Sequence, residues 1–389
     1  VLAGLGALEV GARIVIARRP VVTLGEQTVY SEFDPVLGWR NRPGVSVTYR
    51  RREYQTKVTV NSLGFRDVEH PREKVPGVTR VLAMGDSFIE GFTVELEESM
   101  TRRAEAIGLG QGCPVEVVNA GVHGYSTDQE ALWFAREAEA LHPDVVLVFV
   151  YYNDILNNTR VNYWGLPKPL TRVIDGQIVP VNLPLPRSAP PAEAPREQPK
   201  APSSFKDSAL KSLVVERIIM GAPGLHRFLT QAGLLEPQPA DDIPDELRAY
   251  KTRGPLVEFD EAWKSTREIL VALGDIIRAR HARPVLVHVP ARFEISERDW
   301  SLTTSRYGID PKVWDRTLVR RRLEEIASTS NWAFLDLTEA LRARTGALLG
   351  EPYFQYDGHW NARGHDAAAS AVVAFLRQRN LLPCAQPPA

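Results

Sequence analysis

Arg80-Val81-Leu82-Ala83-Met84-Gly85-Asp86-Ser87-Phe88-Ile89-Glu90-Gly91 is a short apolar run that stops on a glycine and passes at once into a polar-led segment. The same pattern returns twice. Residues 115–118 form a second run ended by Asn119, and residues 144–150 form a third that is uninterrupted in Val, Leu and Phe after Asp144. Runs without polar alternation mark strands buried on both faces of a sheet. Helical patterns separate them, over residues 97–107 and 128–141, the second with Ser126 or Thr127 placed to cap it and Gln129 or Glu130 three residues on. Such alternation predicts an α/β fold with a parallel sheet and right-handed crossovers. After an interruption it resumes with a helix over 261–280, a strand over 284–289, a helix over 311–328 and a strand over 332–337. A last helix spans 362–378, with Asn361 at its N-cap.

Upstream of this rhythm, residues 20–77 are rich in Val, Thr and Tyr with Gly and Pro between, which reads as a β-rich extension. Segments 45–49 and 54–60 flank Arg50-Arg51-Arg52-Glu53 as a hairpin, and Asn61-Ser62-Leu63-Gly64 supplies the next turn. The interruption, residues 161–254, reads as an insertion. Its stretch 180–204 holds eight prolines and little apolar material, as an extended loop does. Residues 209–235 are helical in pattern, broken around Gly221-Ala222-Pro223-Gly224. The α/β domain is thus split into 78–160 and 255–380, and no internal repeat is present.

The 389 residues are 44 % apolar and 24 % charged, enough for a sizeable core and against disorder over the whole length. Forty-seven basic against 48 acidic residues leave a net charge of -1, so no nucleic-acid partner is expected. Cys113 and Cys384 are too few for a disulfide scaffold or a multi-thiolate zinc site, and their number leaves open whether they pair. Residues 1–16 are apolar except for Glu9 and Arg13. They are too short to span a bilayer, which takes ~20 apolar residues. Within segment 1–19 they read as the distal part of a truncated membrane anchor, the alternative being an amphipathic surface helix. Arg18 and Arg19 count against export.

Ser87 stands where open α/β sheets bind ligands, outside the carboxyl end of a strand and at the start of a helix. It can act as a nucleophile if a base takes its proton, or serve only as a helix cap. The G-x-S-x-G elbow is absent, since Ile89 occupies the place of its second glycine. After the second strand, Asn119-Ala120-Gly121-Val122-His123-Gly124 lets backbone approach a ligand. After the third, Tyr151-Tyr152-Asn153-Asp154 offers the Asn153 carboxamide to developing negative charge. Near the C-terminus, Asp357 lies two residues before His359, able to fix the imidazole's tautomer. His365, inside the last helix, reads as a packed histidine. Taking Asp86, Asp154, Asp357 and His359 as a metal site fails for want of a close ligand pair. Asp86 and Asp154 read as hydrogen-bonding supports that hold their loops. Tyr151, Tyr152, Tyr163 and Trp164 either stack on a sugar or pack the insertion against the sheet, the second being the simpler reading.

In this order, Gly85-Asp86-Ser87, Asn119 to Gly124, Asn153-Asp154 and Asp357-x-His359 resemble the blocks of the SGNH hydrolases, also called GDSL esterases or lipases. The likeness covers residues 78–158 and 284–378. It implies a flavodoxin-like three-layer α/β/α sandwich and an acyl-ester hydrolase working without metal or cofactor through a covalent acyl-enzyme. It further implies Ser87, Asp357 and His359 as the catalytic residues and Ser87, Gly124 and Asn153 as the oxyanion hole. Two departures are Tyr151, where the third block commonly has Gly, and Asp-x-His instead of Asp-x-x-His. The shorter spacing occurs in relatives of polysaccharide O-acetyltransferases. The substrate implied is an acyl-ester small molecule or an acylated polysaccharide, hydrolysed or transferred; a non-catalytic carbohydrate-binding module is the rival. Asp34-Pro35-Val36-Leu37-Gly38-Trp39-Arg40 and Asn61 to Arg66 resemble bacterial membrane-anchored members, which implies an extracytoplasmic domain despite Arg18 and Arg19.

Overall fold

The structure, a computed structural model, describes residues 8–14, 29–187, 242–253, 257–346 and 351–384. The anchor reading, most of the proline-rich stretch and the helical pattern at 209–235 lie wholly or largely outside the described residues. Among the described residues no helix is long and apolar enough to cross a membrane.

Two antiparallel pairs come first, β1 (Ser31–Asp34) with β2 (Gly38–Asn41) and β3 (Ser46–Arg50) with β4 (Gln55–Thr59). The central sheet is built from β5 (Thr79–Gly85), β6 (Val115–Gly121) and β7 (Val145–Val150). Between β7 and the rest of the sheet lie two small hairpins, β8 (Asn162–Tyr163) with β9 (Leu166–Pro167) and β10 (Thr171–Ile174) with β11 (Gln177–Pro180). The sheet is completed by β12 (Arg283–His288) and β13 (Ala333–Asp336). All five strands are parallel, in the order β13-β12-β7-β5-β6. Counted along the chain this is the flavodoxin-like 2-1-3-4-5 order, in which the winding reverses between β5 and β7 and leaves a crevice at their carboxyl ends.

The unbroken apolar runs follow from burial on both faces. Leu82, Met84, Val146 and Val148 face one core with the helices Thr127–Glu137, Val257–Ala279 and Leu318–Thr329. Val81, Ala83, Leu147 and Phe149 face another with Met100–Gly110 and Ala362–Gln378. Helices on each side of a parallel sheet make the three-layer sandwich expected. Cys113 and Cys384 form a disulfide with Cα atoms 4.0 Å apart, tying the approach to β6 to the residues after the last helix.

The β-rich extension packs under the loops that follow β5 and β6. Tyr30, Tyr49, Val58, Val60 and Phe92 form a third core. Fully buried Arg66 donates to the carbonyls of Gly91 (2.9 Å) and Val94 (2.5 Å). Asp67 accepts from Asn119 N at 2.7 Å, and Asn41 donates to Glu90 at 2.8 Å.

Several elements differ from the sequence reading. The helix read from 311 begins only at Leu318. Asp310 and Asp315 accept from the backbone N–H groups of Lys312 and Thr317, and such local side-chain bonds offer the chain turns in place of a helix. The helix Glu297–Tyr307 was not expected, although Ser296 caps it and Gly308 ends it at φ 60°. The first inter-strand helix spans Met100–Gly110 and not 97–107, because Ser99 caps it. Ser126 does not cap Thr127–Glu137 with its side chain; its hydroxyl donates to Asp128 instead. The hairpins β8–β9 and β10–β11 occupy a part of the insertion where no element was read.

Candidate active site

Asp86 ends the loop after β5 and accepts from Phe88 N at 2.9 Å, so it caps the short helix Ser87–Glu90. That leaves the Ser87 side chain for other work. Gly121, at the end of β6, admits this helix closely: a Cβ there would sit 2.2 Å from Glu90 N. Ser87 Oγ lies 2.7 Å from His359 Nε2, and His359 Nδ1 lies 2.5 Å from Asp357 Oδ1. The imidazole is held between the rings of Phe88 (4.9 Å) and Phe92 (5.4 Å). Burial pushes the Asp357 carboxyl up, but the charge of His359 and hydrogen bonds from His359 and Tyr54 outweigh it and hold the group at about 2. Asp357 is therefore ionised throughout the neutral range, and a charge of that sign beside Nδ1 keeps the proton there and leaves Nε2 free to accept one.

The acid's loop is fixed from the extension, a feature absent from the sequence reading. Tyr54 OH donates to Asp357 Oδ2 at 2.9 Å. The Glu53 carboxylate accepts from the backbone N–H groups of Gln355 (2.7 Å), Tyr356 (2.8 Å) and Asp357 (2.9 Å). Both residues sit at the turn of the β3–β4 hairpin, whose sequence shows only a run of charges. Tyr54→Phe is expected to lower turnover about tenfold at unchanged KM, because a hydrogen bond to a charged group contributes ~1.5 kcal/mol. Steady-state kinetics on a small ester checks this; a turnover equal to the parent's would mean that Glu53 alone holds the loop.

Ser87, Gly124 and Asn153 follow the carboxyl ends of β5, β6 and β7 respectively. Val122 N donates to Gly85 O at 3.0 Å, holding the first two loops side by side. Gly124 has φ 72°, and a Cβ there would meet the Tyr163 ring at 2.6 Å, so glycine is required on both counts. The Asn153 Oδ1 is buried with no hydrogen-bond partner among the described residues. All three residues thus stand at the same, carboxyl-end rim of the sheet. Asp154 accepts from Tyr151 N at 3.3 Å and Thr127 Oγ1 at 3.4 Å, linking two loops, whereas Asp86 bonds only within its own turn. Burial and repulsion among neighbouring carboxylates raise Asp154 and Glu130 well above the carboxylate range; burial, with the charge of Glu90, raises Asp86 to about 6. Among the described residues no group of three or more His, Cys, Asp or Glu is arranged to hold a metal. His365 is buried in the last helix, its Nδ1 accepting from Met100 N at 3.2 Å. Tyr151 lies on Phe88 at 4.7 Å, within the sandwich, and Tyr152 packs on Tyr250 of the insertion at 5.4 Å.

The fold and the site together define a class: a doubly wound α/β/α sandwich carrying a linked serine, histidine and aspartate at the crevice of its sheet. No family model and no curated protein matches the chain. Among solved structures it is similar to a lipase/acylhydrolase from Enterococcus faecalis, at 13% identity and TM-score 0.39 over 79% of this chain and 100% of that one. A psychrotrophic esterase from Pseudoalteromonas sp. gives 11% and 0.38, over 78% and 99%. An acetylxylan esterase from Geobacillus stearothermophilus gives 14% and 0.37, over 77% and 94%. Values this low leave the reading of the chemistry to the chain's own geometry.

Proposed function

We propose that this protein is a serine-dependent carboxylic ester hydrolase of the SGNH type, acting on an acylated carbohydrate through a covalent acyl-enzyme. The observation that carries the reading is the continuous chain from Ser87 Oγ to His359 to Asp357, at 2.7 and 2.5 Å. Ser87 Oγ attacks the ester carbonyl carbon while its proton passes to His359 Nε2, and Asp357 stabilises the imidazolium. The oxyanion accepts from the Ser87 and Gly124 N–H groups and the Asn153 carboxamide. Collapse returns the proton to the departing alcohol oxygen and leaves the acyl group on Ser87. Water, deprotonated by His359, then releases the acid; a sugar hydroxyl in its place would make the enzyme an O-acyltransferase.

An extracytoplasmic, membrane-anchored placement is part of the proposal. The Cys113–Cys384 disulfide supports its extracytoplasmic part, since such bonds persist in oxidising compartments. The test is hydrolysis of p-nitrophenyl esters of graded chain length, with and without a polysaccharide acceptor and with EDTA. Turnover that survives the chelator is expected, and activity abolished by EDTA and restored by a divalent metal would sink the reading. Asn153→Ala should cost ~10²–10³ in turnover with serine and base in place, the effect of losing one oxyanion donor. A change confined to KM would remove Asn153 from that role.

A further inference from the structure

Trp164 is 77% exposed, the most solvent-accessible aromatic among the large exposed apolar residues. It sits in the two-residue turn between β8 and β9, where Tyr163 pairs with Leu166, with φ 48° at Trp164 and 85° at Gly165. Two successive positive φ values are what tight hairpin turns demand, and Asn-Gly meets that demand with least strain. A bulky side chain in the left-handed region is disfavoured, and such outliers concentrate at ligand sites. The turn is nonetheless firmly held: Asn162 Oδ1 accepts from Gly165 N at 2.9 Å, and Lys168 N donates to Val161 O at 2.9 Å. An exposed indole is thus displayed from a fixed turn.

The indole continues a stair of rings that begins at the candidate oxyanion loop. Trp39, buried, donates from Nε1 to His123 O at 3.0 Å and accepts at its own carbonyl from Tyr125 OH at 2.5 Å, so it grips the residues on either side of Gly124. Tyr163 lies 5.9 Å from Trp39 at an interplanar angle of 22°, and its ring is the one a Cβ on Gly124 would strike. Trp164 lies 5.9 Å beyond Tyr163 at 20°. Three nearly parallel rings therefore step outward from Gly124 to solvent.

We propose that Trp164, backed by Tyr163, forms a carbohydrate-stacking platform that holds the sugar bearing the scissile ester, or its neighbour in a chain. The inference rests on the ester-cleaving reading of the Ser87 site and names the class of alcohol on its leaving side. A pyranose ring has a C–H face that removes a flat indole from water, while its rim of hydroxyls stays hydrated; an exposed platform suits it. An acyl chain on the same open turn would remain wet on most of its surface and needs an enclosed channel instead.

The test uses the full chain and a panel of O-acetylated xylan, O-acetylated glucomannan and O-acetylated chito-oligosaccharide, with p-nitrophenyl acetate as the small reference ester. The informative variant is Trp164→Asn, because asparagine suits the turn and so removes the ring without loosening the hairpin. At least one glycan should lose about tenfold in kcat/KM relative to p-nitrophenyl acetate, mainly through KM, and Trp164→Tyr should restore most of it. Affinity electrophoresis of Ser87→Ala and of Ser87→Ala/Trp164→Asn through gels containing the deacetylated polysaccharides reads the platform without turnover. Retardation by one of them, lost in the double variant, is expected. Equal migration in all gels together with an unchanged glycan preference overturns the platform and leaves the esterase reading standing. A loss that instead grows with acyl chain length in the p-nitrophenyl series also overturns it, making Trp164 an acyl contact. Failure of the esterase reading itself would appear separately, as p-nitrophenyl acetate turnover indifferent to Ser87.

Discussion

Ser87→Ala is expected to lower p-nitrophenyl acetate turnover by ~10³-fold or more while leaving the unfolding midpoint close to the parent's. The expectation rests on what the side chain touches. Its hydroxyl is 2.7 Å from His359 Nε2, and the start of its helix is held by Asp86 and not by Ser87 itself. Alanine therefore removes the proposed nucleophile while leaving the cap, the strand and the proposed oxyanion donors intact. Residual turnover should come from those donors and from binding alone, as in other hydrolases that have lost a serine. Full activity in the folded variant would remove the acyl-enzyme from the proposal, and with it the roles given to His359 and Asp357.

The parts of this chain that could be read from its sequence are those whose physics is local. The three strands β5, β6 and β7 are legible because burial on both faces leaves no polar position along them, as in Val145–Val150. The last helix is legible to the residue because Asn361 caps it through the N–H groups of Arg363 and Gly364. Ser87, Asp357 and His359 lie on strand-end or pre-helix loops of an α/β sheet, where a nucleophile or base can sit, although a serine there can equally be a helix cap. Gly124 and Asn153 do not stand out by themselves; a glycine after a strand and an Asn-Asp pair are ordinary turn residues, and only the ordered blocks of a known family single them out.

What was not legible depends on contacts between distant segments. Glu53 reads as one more charge in Arg50-Arg51-Arg52-Glu53, yet it binds three N–H groups about 300 residues away, and Tyr54 completes the chain at Asp357. Arg66 and Asp67 follow a turn that suggests exposure, yet both are buried. The carbonyls of Gly91 and Val94 and the N–H of Asn119 require those buried partners, and nothing in either segment announces the other. The β8–β9 turn hides in the same way, because Trp164-Gly165 lacks the residues by which such turns are recognised.

The two histidines near the C-terminus should separate completely when each is replaced. His359→Ala is expected to cost about 10³ in turnover, comparable to Ser87→Ala, since both act as one unit in forming the acyl-enzyme. His365→Asn should leave turnover within about threefold, because no reacting group depends on it. Its effect belongs to stability. Burial, reinforced by the charges of Arg66 and His359, lowers its pKa from the ordinary 6.5 to about 3, so the folded protein keeps it neutral, accepting from Met100 N. The sign then follows: below 6.5 the unfolded chain binds a proton that the folded chain refuses, so this contribution is complete above 6.5 and is lost as pH falls toward 3. Urea unfolding at a series of pH values should show the parent weakening over that window and His365→Asn weakening less steeply. A folded His365→Asn without turnover, beside an active His359→Ala, would move the base onto the last helix and break the proposed chain from serine to aspartate.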